Sequence, residues 1–142
     1  MIKTAKKLTA IGKALFAALF ALTMLFGFAS CGTRYTSSYS ALVMTTKNLK
    51  GHCEATFQRL NGTYVFKTKK SSNGEGSIEY AASLEEGELN VYYDIYGTKE
   101  LLFTIKAGEE IENVGGYVES GKTVYIIVET VEPSRGAVRF EL

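Results

Sequence analysis

From Gly51 onward, apolar and polar residues alternate with a period of two, in runs broken by Gly, Asn and short charged stretches. Strands with one buried and one solvated face give this pattern, because successive side chains leave a strand on opposite sides. Over residues 78–84, Ile78, Tyr80, Ala82 and Leu84 share one face while Glu79 and Ser83 take the other. Over 89–96 the inward set is Leu89, Val91, Tyr93 and Ile95. The charged stretch Glu85-Glu86-Gly87-Glu88 between these runs predicts a hairpin. Leu60-Asn61-Gly62-Thr63 predicts another, joining 55–57 to 64–66, and Asn-Gly is the stronger turn signal of the two. Tyr96-Gly97-Thr98-Lys99 leads into a strand at 101–105, and 122–131 is apolar on both faces, as suits a central covered strand. Val138, Phe140 and Leu142 point inward at the end.

No run after residue 50 keeps a 3.6-residue period beyond a few positions. Seven or eight short strands at roughly ten-residue spacing, with one Pro in the chain, predict an all-β fold, an antiparallel β-sandwich of jelly-roll-like type. A closed barrel is the second choice. Ahead of it, residues 32–40 are rich in hydroxyls and poor in aliphatics, which predicts a flexible tether. Residues 41–46 are β-prone enough for a first edge strand. The expected organisation is a signal segment at 1–30, a tether at 31–46 and the sandwich at 47–142.

The first thirteen residues carry Lys3, Lys6, Lys7 and Lys13 and no acid, and 14–33 is uncharged and dominated by Ala, Leu and Phe. This is the layout of an export signal, with lysines on the cytoplasmic side and the following chain delivered across the membrane. The uncharged run is also long enough to span a bilayer, but its last third is small and polar where a spanning helix needs bulk. Its end, Phe28-Ala29-Ser30-Cys31 followed by Gly32, resembles a bacterial lipobox, with Phe28 where Leu is usual. The resemblance implies that Cys31 receives a diacylglycerol thioether, becomes the new N-terminus after cleavage, and holds the domain on the extracytoplasmic face of a bacterial membrane. Acyl chains buried at about 0.8 kcal/mol per methylene make such an anchor nearly permanent. The closing segment, 115–121 with the strands at 122–131 and 136–142, resembles the last strands of small jelly-roll domains on bacterial lipoproteins, which bears on fold class alone.

With four lysines in the signal, the remainder holds 12 basic and all 15 acidic residues. A balance of −3 excludes a basic nucleic-acid footprint. One His (His52), one Asp (Asp94), no Trp and two Cys leave few ways to build a metal site or a nucleophile with its base. His52 and Cys53 are adjacent, so on a strand they face opposite ways and cannot share a proton. Cys53 falls with Ala55 and Phe57 as a small core residue, and His52 alone provides no zinc site. The clusters Glu85, Glu86, Glu88 and Glu109, Glu110, Glu112 lack the short Asp and Asn ligands of calcium loops and are expected as solvated turns. Gly74-Glu75-Gly76 and Gly115-Gly116 lack the Lys-Ser/Thr and helix of a phosphate loop, so no nucleotide or other cofactor is implied. Lys67, Lys69 and Lys70 form a basic cluster suited to solubility or to anionic headgroups.

The remaining candidate is aromatic. Tyr92, Asp94 and Tyr96 alternate along one strand face, placing two tyrosines about 13 Å apart around a carboxylate. Such a strip suits stacking on a sugar ring or receiving a partner surface, unless the face is itself covered by another part of the fold. The expected protein is therefore a membrane-anchored lipoprotein with a non-catalytic domain that binds a glycan, a peptide or an envelope protein. A small envelope enzyme and a structural accessory subunit of a membrane complex are the alternatives.

Overall fold

The computed structural model describes residues 35–142, which form a compact unit, Tyr35–Leu142. The expected signal segment and Cys31 lie outside the described residues. Seven antiparallel strands follow in order: β1 (Ser38–Ser40), β2 (Val43–Leu49), β3 (His52–Lys69), β4 (Glu75–Asp94), β5 (Glu100–Lys106), β6 (Glu110–Glu119) and β7 (Thr123–Glu141). The all-β antiparallel sandwich predicted by the period-two pattern is the fold of this chain.

Three strands of 18 to 20 residues carry the architecture. β7 lies between β3 and β4 and pairs with both along most of its length. Each long strand breaks register near its middle: β3 between Phe57 and Thr63, β4 between Leu84 and Leu89, each against the same stretch of β7. At this crease the sheet bends, so each long strand serves first one half of the sandwich and then the other. One half runs β2, β3, β7, β4, β6, and the other runs β1, β3, β7, β4, β5. The inner faces meet in the core, where the Tyr80 ring of one half stacks on Phe103 of the other at 4.6 Å. Phe140 lies between Phe66 and Phe103, at 5.9 and 6.2 Å.

The crease corrects two sequence expectations. Asn61-Gly62 and Glu85–Glu88 do not close hairpins, since both lie inside continuous strands. Gly62 (φ 116°) and Gly87 (φ 89°) have the backbone that a tight turn requires, but here it produces bulges that bend a strand. The Gly62 amide donates to Thr130 Oγ1 at 2.7 Å, which ties β3 to β7 at the bend. Likewise 122–131 and 137–142 are parts of one strand, β7, and Pro133 sits at its crease.

Of the tether expected at 31–46, residues 31–34 lie outside the described residues and the rest is not a tether. From Tyr35 onward the chain belongs to the folded unit. β1 pairs with residues 61–63 of β3, and β2 pairs with His52–Gln58. Hydroxyl-rich sequence is no obstacle in an edge strand, where the ladder satisfies the backbone and one side faces water. Ser37 Oγ accepts a hydrogen bond from the Val65 amide, and the Tyr35 ring meets Tyr125 edge-on at 5.4 Å.

Candidate functional site

The strip Tyr92, Asp94, Tyr96 does not present three side chains to solvent together. Asp94 is 1% exposed. Its carboxylate accepts a hydrogen bond from the Tyr35 hydroxyl at 2.6 Å on one oxygen and from the Gly97 amide at 2.6 Å on the other. It is a structural group that closes the loop after β4 and fastens the entering chain. Tyr92 is half-buried on the outer face, with the Lys99 ammonium 4.2 Å from its ring centroid. Lys99 also pairs with Glu129 at 2.5 Å. Tyr96 alone of the three is open, at 60% exposure.

The neighbour of Tyr96 is one that strand alternation did not reveal. Tyr117 of β6, 39% exposed, lies with its ring centroid 6.4 Å from that of Tyr96 and its plane tilted by 23°. A bulge puts it there. Gly76 pairs with Val118 and Ile78 with Gly115, so β6 spends one residue more than β4 between those pairs. Gly116 takes φ 70° in this bulge, and a Cβ there would sit 3.0 Å from the Tyr93 ring. The extra residue re-aims Tyr117 toward the end of β4, as bulges beside functional surfaces do. The sequence signal was the Gly115-Gly116 pair just before an aromatic residue.

Carboxylates flank the rings. The Tyr96 hydroxyl donates to Glu119, and the Glu75 carboxylate lies near enough to the Tyr117 phenol to favour its protonated form. These neighbours push both phenols above their ordinary pKa, chiefly because each carboxylate favours the protonated tyrosine. Beneath them, the Tyr93 hydroxyl donates to Glu100 at 2.6 Å, and burial followed by that carboxylate raises it too. The result is a pair of near-parallel exposed rings with fixed orientation and acceptor oxygens at their edge. Such a surface can stack on the C–H face of a ring and accept hydrogen bonds from its hydroxyls.

A concavity of about 660 Å³ crosses the outer face of the half-sheet that holds β2 and β6. Thr56, Ala137 and Ser83 stand side by side in register on its floor. Glu54, Arg139 and Glu112 flank it, and Glu110 also lines it.

The other sequence candidates are structural. Cys53 is buried, its thiol 3.4 Å from Asn48 Oδ1, and burial pushes its pKa up to about 11. His52 points to the opposite face, 3.3 Å from Glu54 and 3.4 Å from Glu141. Glu85 pairs with Arg135 at 3.0 Å, and Glu85, Glu86 and Glu88 lie within β4, while Glu110 and Glu112 lie within β6; these five are strand residues rather than turns. Among the described residues no group of three or more His, Cys, Asp or Glu is placed to hold a metal ion. Lys70, unlike Lys67 and Lys69, is buried, with its ammonium on Ser72.

No protein-family profile matches the sequence, and no curated protein matches it. Among solved structures, the chain is similar to a family 29 carbohydrate-binding module complexed with mannohexaose, at 14% identity and a TM-score of 0.40, over 75% of this chain and 82% of that one. A structure described as CBM4 is similar at 11% identity and a TM-score of 0.38, over 74% and 75%. The Drosophila melanogaster CENP-C cupin domain is similar at 15% identity and 0.27, over 91% and 98%. Likenesses this loose assign neither a ligand nor a site.

Proposed function

We propose that this chain is a lipoprotein, anchored through acyl chains on Cys31 at the extracytoplasmic face of a bacterial membrane, whose β-sandwich is a non-catalytic module that binds a glycan. The anchoring reading is supported by the sequence Phe28-Ala29-Ser30-Cys31 behind a basic and apolar leader. The observation that carries the binding reading is the exposed, near-parallel Tyr96 and Tyr117 pair, with the Tyr96 hydroxyl held on Glu119. Rings fixed before a ligand arrives spare it the cost of ordering them.

The test is a glycan array followed by calorimetry on the best hits, with the wild type and the Tyr96→Ala, Tyr117→Ala and Arg139→Ala variants. Binding that falls tenfold or more in both tyrosine variants, with melting temperature kept, supports the site. Binding lost only with Arg139→Ala moves it to the groove on the other half-sheet. No glycan binding by the wild type sinks the glycan reading. Anchoring is tested separately by intact mass, which should equal residues 31–142 plus two or three acyl chains and fall to an unacylated species in Cys31→Ala.

A further inference from the structure

The turn between β2 and β3, with the adjoining ends of β3 and β7, encloses a concavity of about 360 Å³ lined by Asn48, Leu49, Lys50, Lys67, Lys69 and Thr123. No acid lines it. Lys67 and Lys69 project to the same side because Phe66 and Thr68 on either side of Lys67 take the buried face. Among the described residues none of the three lysines forms an ion pair, although Lys99 and Lys106 do. Leu49 stands exposed beside them, and Lys122 adjoins Thr123 in sequence. Like charges gathered without a counter-charge repel one another, and an external anion removes that repulsion.

The patch lies where the chain enters the fold. Lys67 pairs in register with Tyr125, and the Tyr125 ring is the one that Tyr35 meets. Tyr35 is four residues beyond Cys31, a path of at most about 14 Å when fully extended. A lipid anchor at Cys31 would therefore hold this face within about one to two Debye lengths of the headgroups.

We propose that the face carrying Lys50, Lys67 and Lys69 docks on the anionic headgroups of the membrane that anchors the chain. This inference rests on the anchoring reading given above. Charge selects the partner: the face is basic on a domain whose net balance is acidic, and a negatively charged leaflet is the nearest polyanion that a Cys31 anchor provides. The exposed Leu49 adds an apolar contact at the headgroup boundary. Lys106 is at the other end of its half-sheet, beside Glu88 at the crease, and serves as an internal control.

The test uses the full processed protein, purified from cells and reconstituted into vesicles of phosphatidylcholine alone or of phosphatidylcholine with phosphatidylglycerol. Trace acetylation is then read lysine by lysine by mass spectrometry. Anionic vesicles should slow the labelling of Lys50, Lys67 and Lys69 about fivefold against neutral ones. Lys106 should be unaffected, and high salt should abolish the difference. Equal rates in both vesicles, in a sample whose intact mass includes acyl chains, overturn the docking while leaving the anchor in place. A mass without acyl chains overturns the anchoring reading and the docking with it. Protection of the same lysines by inorganic phosphate without vesicles assigns the patch to a soluble anion and overturns the membrane as its partner.

Discussion

Gly87 of β4 and Ser134 of β7 meet at the crease so closely that a Cβ on Gly87 would lie 2.3 Å from Ser134 Oγ and 2.6 Å from the Pro133 carbonyl. Ser134 is buried there, its hydroxyl donating to the Glu132 carbonyl at 2.7 Å. Gly87 thus supplies both a left-handed backbone and the absence of a side chain, whereas Gly108, at φ 86°, has nothing within 4 Å of where its Cβ would be. Gly108→Ala should cost about 1–2 kcal/mol of backbone strain, and Gly87→Ala about 3 kcal/mol or more, since crowding adds to the same strain. Urea denaturation of the two variants checks this, and equal losses would remove the crowding argument.

Asp94 fastens the entering chain and the loop after β4 with one carboxylate. Asp94→Ala should destabilise by about 3 kcal/mol, because it strands a buried amide donor and a phenol. Tyr35→Phe should cost about 1 kcal/mol and act locally. Hydrogen exchange should show the amides of residues 35–40 opening in Tyr35→Phe while the β7 amides keep their protection.

The tyrosine pair gives a pH signature. Tyr96 and Tyr117 have folded pKa values raised above the ordinary value of 10, with the neighbouring carboxylates as the largest cause. A raised pKa means that the neutral phenol is the favoured form. The stabilisation is therefore complete below pH 10 and is lost as pH climbs through the higher folded values. Ultraviolet titration of the phenolates should show three late-ionising tyrosines, Tyr93 with this pair, and Glu119→Gln should bring Tyr96 back toward its ordinary range.

Cys53, buried and pushed up to about 11, should resist iodoacetamide in the native protein at neutral pH, because little thiolate forms and none is reached. Labelling should follow the denaturant unfolding curve. Reaction at the rate of a free thiol would show that the β2–β3 edge opens by itself.

Alternation identified the buried faces well: Ile78, Tyr80, Ala82, Leu84, Leu89, Val91 and Tyr93 are all core residues. It was blind to where strands end. Gly62 and Gly87 have backbone angles shared by hairpin turns and by bulges, and a local sequence window does not contain the strand that decides between them. In both cases β7, more than forty residues away, holds the bend open as a crease. The binding candidate was half legible for the same reason. Tyr96 is visible in the sequence, but it stands in the loop just after β4, and its meeting with Tyr117 depends on how the two halves of the sandwich face each other. Asp94 was misread because its partners, Tyr35 and the Gly97 amide, lie on segments expected to be tether and turn.

The placement of β7 also fixes an order of events during synthesis. β3 and β4 are made first, yet neither pairs with the other, and the strand that each requires as a neighbour is the last of the seven to appear. Until residues 123–141 have emerged, the polypeptide can form only its marginal outer ribbons, β1 and β2 with β3 and β5 and β6 with β4. A chain threaded through a membrane channel one end first would stay loose enough to pass and would close its core only after the last segment had crossed.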